Sequence, residues 1–360
     1  MNSKTYRAEE CARAARRGFD FLRRFARAPE NFEAWGSDFL NYFYVVADTA
    51  ADVGMRRLGR AEGARLARRW CRRNPSIPEE PDAEAVYELV YGGLYADRVC
   101  GRGRRPKAKL RLAARRLPAA DFLWFDPKAE PPPADVPDEC RCGLWNERGR
   151  KTCADCRRGL KMMTRYLVWY VALIRTYVAD SYGVSLGASY ADVLRWLPGL
   201  RPYPGAFGEP GFYDAAYAVT HVVYTLNDYD KYRLRPSWLP REFAFLKKHL
   251  PRLIEERDPE TTGEFLECLK CFGLSTRGPL VRAGTDFLLA SQNADGSWGR
   301  TDNEDIYRNY HTTLAAAGGL MDVRWRAPRL AFPEIMPLLL RLAKEQDELS
   351  VGDAGRYAPR

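Results

Sequence analysis

Residues 286–320, DFLLASQNADGSWGRTDNEDIYRNYHTTLAAAGGL, constrain the fold more tightly than any other stretch of the chain. An apolar helix end (Phe287, Leu288, Leu289) runs through Gln292 into the turn Asp295-Gly296-Ser297-Trp298-Gly299. Asp-Gly is turn chemistry, because glycine takes the positive φ that ends a helix without a Cβ clash. A polar link follows, and a second helix opens near Asp305 and closes on Gly318-Gly319. The stretch predicts a helix hairpin with a tryptophan-glycine corner.

The same unit recurs: an Arg-rich amphipathic helix, a turn, then a helix rich in Tyr, Ala and Gly. Residues 8–27 lead to 37–53, 60–73 to 83–99, and 106–117 to 160–181, with an insertion inside the third pair. The pattern resumes with 189–198 to 212–228, 240–257 to 260–272 and 279–291 to 304–320, and a closing helix is expected at 333–347. Pro and Gly punctuate the joints, for instance Pro75, Pro78, Pro204 and Gly205. Paired helices of this kind argue a helical repeat, either closed into a ring or open as a solenoid.

The segment Gln292–Gly299, Q-x-x-D-G-S-W-G, resembles the Gln-Trp repeat of terpenoid cyclases and protein prenyltransferase β subunits, where it joins an outer helix to an inner one. That resemblance implies an all-α fold, an (α/α)6 toroid of helix hairpins around a central funnel. Residues 1–125 and 160–360 would form one discontinuous toroid domain, with a linker and insertion at 126–159.

The insertion follows a Pro-rich acidic linker and reads CRCGLWNERGRKTCADCRRGL, with Cys140 and Cys142 in one pair and Cys153 and Cys156 in the other. Gly143 and Asn146 stand where a zinc ribbon, C-x-x-C-G-x-x-N and then C-x-x-C-G-x-x-L, carries its Gly and Asn, and the stretch resembles one. Two departures are visible: the first pair is C-x-C, and Arg157 replaces the second glycine. Four thiolates close a tetrahedral shell around zinc, so the expected ion is structural.

Composition narrows the rest. At 46% hydrophobic residues, the 360-residue chain can bury a sizeable core, which excludes global disorder. No apolar run reaches membrane-spanning length, and the N-terminus lacks an apolar signal core, so a cytoplasmic protein is expected. In a reducing compartment, closely spaced cysteines suit metal better than disulfides. The net charge of +10 comes largely from arginine on the N-terminal helices, read as solvated outer faces. With no aromatic-basic stacking motif or recognition-helix pattern, nucleic acid is not expected as a partner.

Only three histidines occur, and two fall on helices expected to line the funnel. His311, in Asn309-Tyr310-His311-Thr312-Thr313, resembles the prenyltransferase β-subunit segment whose Tyr-His-Thr supplies a zinc-binding histidine. The family's Asp-x-Cys ligands are absent from GEFLECLKCFGL, whose polar positions Glu264, Glu267, Cys268 and Cys271 share one helix face. His221 stands in a stripe with Asp214 and Asp228 at helical spacing. His221, His311, Glu267 and Cys268 are therefore the expected ligands of a second metal, zinc or iron, with His221, His311, Asp228 and Glu264 as catalytic candidates. Tyr44, Asp48, Tyr87, Glu88, Tyr91, Arg165 and Trp169 complete the expected funnel wall, while His249 is placed on the surface.

The chain carries no Asp-x-Asp-Asp acid motif, no Cys-His-Gly motif of lanthionine cyclases, no phosphate loop, no Gly-x-Ser-x-Gly elbow and no dinucleotide fingerprint. The resemblance then implies a metal-dependent enzyme acting on a largely apolar small molecule or prenyl substrate. Two alternatives stand beside it. One is a non-catalytic toroid that binds a protein or peptide through its rim and ribbon. The other is a site of the non-haem iron oxygenase type built from His221 and His311.

Overall fold

The computed structural model describes residues 3–101, 107–302 and 305–344. It is all-α: α1 (Ser3–Phe25), α2 (Pro29–Thr49), α3 (Val53–Arg73), α4 (Ala83–Cys100), α5 (Lys107–Ala114), α6 (Ala119–Leu123), α7 (Arg165–Tyr182), α8 (Tyr190–Leu194), α9 (Phe212–Leu226), α10 (Pro240–Glu255), α11 (Pro259–Cys271), α12 (Pro279–Ala290) and α13 (Ile306–Leu320). Residues 336–344 are also helical, on the expected closing helix. Among the described residues, β pairing is confined to isolated bridges.

Each expected helix is present, with shifted ends that have local causes. The 106–117 segment stops at Ala114, and α6 restarts behind Pro118, whose ring cannot continue the preceding turn. The 160–181 helix opens only at Arg165, capped by the Thr164 hydroxyl, because Met162 is bridged to Pro137 as part of the insertion. Residues 189–198 shorten to α8, which a Ser189–Asp192 capping box starts and a 3-10 turn containing Pro198 follows. Conversely, α2 begins eight residues early, at Pro29, and carries non-helical angles at Trp35 (φ −135°, ψ 30°).

The chain forms two compact units. Of the described residues, the first gathers those up to 76, 91–101 and those within 226–331, and the second 77–90, 107–225 and 332–344. Within the first, α1 packs on α12 and α13, α2 on α3, and α11 between α13 and α10. The α11–α13 pair is close enough for backbone contact. A Cβ on Gly319 would stand 2.8 Å from Gly263 Cα, and one on Gly263 would strike the Ala315 carbonyl.

The Gln-Trp corner clamps this unit to α1. Trp298 is buried, and its indole Nε1 donates to the Leu288 carbonyl at 2.8 Å while its backbone N–H donates to the Thr313 hydroxyl at 3.1 Å. The ring lies over Gly18 of α1, where a Cβ would stand 2.8 Å from Cζ3. Gln292 Nε2 donates to the carbonyls of Ala14 (2.9 Å) and Gly296 (3.0 Å), so one amide ties α1 to the turn. Gly296 has φ +96° and leaves no room for a side chain beside the Arg17 carbonyl.

His249 lies elsewhere than expected. It is 5% exposed on α10, with its ring 4.4 Å from Phe245. It shares the helical stripe Phe245, Leu246, Leu250, Leu253, which is the face α10 buries.

Candidate functional site

The cysteine insertion lies within the second unit and is built from two turns of one design. In the first knuckle, Gly143 N–H donates to the Cys140 carbonyl (2.7 Å) and Cys140 N–H to the Leu144 carbonyl (3.1 Å). In the second, Arg157 N–H donates to the Cys153 carbonyl (3.2 Å) and Cys153 N–H to the Arg158 carbonyl (2.8 Å). The first knuckle is therefore the second with one residue removed, which is how C-x-C takes the place of C-x-x-C. Gly143 (φ +86°) and Arg157 (φ +60°) are equivalent positions, so Arg157 adopts the left-handed conformation that the missing glycine would have taken freely.

Asn146 joins the knuckles. Its Oδ1 accepts from Ala154 N–H at 2.8 Å, and its Nδ2 approaches Cys153 Sγ at 3.7 Å. The sulfurs pair at 3.4 Å (Cys140–Cys156) and 3.7 Å (Cys142–Cys153), and all four lie within 4.8 Å of one another. A tetrahedral zinc with Zn–S bonds of about 2.3 Å needs sulfur separations of roughly 3.8 Å, so the donor set fits that ion and leaves no open position. Burial opposes ionisation of Cys153, but the N–H groups of Cys156 and Asp155 and the Asn146 amide bring its pKa down to about 6. Cys140 is aided by the Cys142 N–H, yet burial and the three neighbouring sulfurs push it up to about 12. Cys153 ionises readily, whereas Cys140 resists until a cation compensates it.

His311 has a site of its own in the first unit. Its Nδ1 lies 2.9 Å from Glu260 Oε1, and the Thr312 hydroxyl donates to Glu260 Oε2 at 2.7 Å. Glu260 stands in the first turn of α11, behind the Asp258 cap. Burial works to depress the His311 pKa. The Glu260 hydrogen bond and the charges of Glu260, Glu264 and Asp38 outweigh it and raise the pKa to about 9. The imidazole stacks on Tyr307 (4.8 Å, 18° between planes), which touches Trp35 at the irregular turn of α2. Beside it, the Tyr310 hydroxyl donates to Asp38 Oδ2 at 2.5 Å. Removal from water raises the Asp38 pKa, against the hydrogen bonds from Tyr310 and Tyr91.

The other candidates occupy separate settings. His221, in the second unit, has Nδ1 2.8 Å from the Tyr217 carbonyl and is ringed by Tyr170 (5.1 Å), Tyr224 (5.7 Å) and Tyr217 (6.2 Å). Asp228 pairs with Lys231 (2.8 Å) and Arg98 (3.5 Å) in a left-handed run of three residues, Asp228, Tyr229 and Asp230. Glu264, Glu267 and Cys268 are buried on α11. Glu267 lies under Gly318, where a Cβ would stand 3.0 Å from its carboxylate oxygens. Burial and the negative charge of its neighbours hold Cys268 well above the usual thiol range, as a neutral thiol. Lys270, also buried, donates to the carbonyls of Gly319 (2.8 Å) and Met321 (2.9 Å) at the end of α13. Among the described residues, the four knuckle cysteines are the one group of three or more candidate ligands whose donor atoms converge.

Glu260 and Asp38 are not marked by the sequence, and Tyr310 is marked only as the neighbour of His311 in Tyr-His-Thr. Glu260 reads there as an ordinary acidic residue of a helix first turn, 51 positions from His311. No family model matches the chain, nor does any curated protein or solved structure.

Proposed function

We propose that the chain is an enzyme of the α/α toroid kind, working through the His311 imidazole on a largely apolar small molecule, with the zinc of the cysteine knuckles in a structural role. The observation that carries this reading is the Glu260–His311 pair. A carboxylate on Nδ1 fixes the ring and leaves Nε2 for chemistry, in a setting of Tyr307, Trp35 and Tyr310 that suits an apolar ligand. With its pKa raised to about 9, His311 is an imidazolium at neutral pH, suited to donate a proton or to face developing negative charge. The packing of α1 on the final hairpin, α12–α13, supports the toroid, since a closed ring requires the repeat to return to its start.

A second reading shares the same geometry. An imidazole whose Nδ1 is held by a carboxylate is also the usual form of a metal-ligating histidine, so His311 Nε2 could hold zinc or iron. Elemental analysis separates the two: this reading requires a second metal ion that survives Cys153→Ser/Cys156→Ser and is lost in His311→Ala.

The test of the main reading is an NMR titration of the His311 ring together with a turnover screen on isoprenoid alcohols and their phosphate esters. The ring should titrate near pH 9 and Glu260→Gln should bring it down. Turnover should persist at neutral pH, fall as pH rises through about 9, and drop by about 100-fold in His311→Gln. Titration at or below the ordinary histidine value, or full turnover in His311→Gln, would sink the proposal.

A further inference from the structure

Charge is segregated within the insertion. Residues 126–139 carry five acidic residues and one lysine, whereas 140–161 carry seven basic residues and two acidic. Three of the five linker acids pair with cations of the insertion: Arg148 with Glu130 (2.6 Å) and Asp135 (2.7 Å), and Lys161 with Asp138 (3.7 Å). Arg141, Lys151, Arg157 and Arg158 are exposed and form no ion pair among the described residues. Three of these four sit in the knuckles themselves: Arg141 between Cys140 and Cys142, and Arg157 and Arg158 just after Cys156.

An aromatic platform accompanies them. Trp145, three residues beyond Cys142, is 51% exposed, and Leu144 beside it is 38% exposed. The Trp145 ring is held by stacking on Trp124, centroids 5.9 Å apart and planes 20° from parallel. Trp124 is in turn fixed by the Arg175 guanidinium 5.5 Å from its ring. A large ring that is exposed yet preorganised in a parallel stack can be extended by one more flat ring at little entropic cost. Unpaired cations on the knuckles supply attraction for a polyanion.

We propose that the ribbon is a binding site for single-stranded nucleic acid, with a base continuing the Trp124–Trp145 stack and Arg141, Lys151, Arg157 and Arg158 taking the phosphates. Parallel stacking favours a nucleobase over an acidic peptide, which would engage the cations without needing the ring. The expectation against nucleic acid rested on the lack of an aromatic-basic motif; the fold creates one by placing Trp124 against Trp145. A competing account gives the same arginines only the task of offsetting the negative charge of a zinc tetrathiolate.

The probe is a fluorescein-labelled oligothymidylate of 15 nucleotides, with zinc-loaded full chain, read by anisotropy and tryptophan quenching. Binding in the range of about 1–100 μM at low salt is expected. Trp145→Ala should weaken it about tenfold and Trp145→Phe much less, with zinc content unchanged. Arg157→Gln/Arg158→Gln should reduce the salt slope by roughly 1.4, as for two lost phosphate contacts on a single strand. Absence of binding, indifference to Trp145→Phe and Trp145→Ala alike, tighter binding of duplex, or equal binding of polyglutamate would each overturn the proposal. Should Trp145→Ala lose zinc, Trp145→Phe and the arginine pair still decide it.

Discussion

The Trp298 corner and the cysteine knuckles are both tight turns marked by glycine, yet they are stabilised by opposite means. The corner is held by burial: Trp298 and Ser297 are almost wholly out of water, and the turn is bonded to α1 from a distance of nearly the whole chain. The knuckles have little core. Cys142 and most of their residues are exposed, and what organises them is their own backbone hydrogen bonds and four converging sulfurs. A turn backed by a hydrophobic face can rely on packing, whereas a turn in water needs a cross-link. A similar glycine signal thus marks a joint between helices in one place and a loop able to hold a metal ion in the other.

The largest expected effect comes from removing the zinc proposed for the cysteine knuckles. Structural zinc in small domains contributes on the order of 10 kcal/mol, so chelation, or Cys153→Ser/Cys156→Ser, should release one ion per chain and open residues 140–160 to proteolysis. The far-UV helical signal should barely change. Its collapse would show that the knuckles support the helices and would break the contrast.

Next is the corner. Trp298→Ala should cost about 3–5 kcal/mol, seen as a lowered denaturation midpoint of the helical signal, because a filled site against Gly18 is emptied. The metal content of the protein should not change. A loss below about 1 kcal/mol would mean that the corner is not held by burial, since emptying a buried Trp site ordinarily costs about 3–5 kcal/mol.

The smallest effect sharpens the equivalence of the two knuckles. Arg157→Gly should relieve a left-handed residue and tighten zinc by about fivefold, on the order of 1 kcal/mol, while Gly143→Ala should weaken it by a similar amount. Competition with a chromophoric chelator measures both. Changes of the same sign in the two variants would refute the equivalence.

Much of this was legible in residues that are neighbours along the chain. Helix hairpins follow from periodicity, the Asp-Gly-Ser-Trp-Gly corner from its glycines, and the four-sulfur group from cysteine spacing. These depend on backbone conformation and on partners within about twenty positions, which local sequence specifies. His311 was legible as a rare polar residue on a small-residue helix, but its partner was not. Glu260 is 51 positions away, and Asp38, bonded to Tyr310, is 272 away.

His249 and Trp145 show the same limit from opposite sides. Both residue types occur in cores and on surfaces, and nothing adjacent to either one states which it will be. Packing buried His249 against Phe245 and left Trp145 outside against Trp124. Local sequence was enough for the helix repeat, the Trp298 corner and the cysteine knuckles, because hydrogen bonds and side-chain periodicity act over short separations. Tertiary structure alone decided that Glu260 bonds His311, that Asp38 receives Tyr310, and that Trp145 stacks on Trp124. Burial and long-range hydrogen bonds arise only when distant segments meet, and no local pattern encodes which segments those will be.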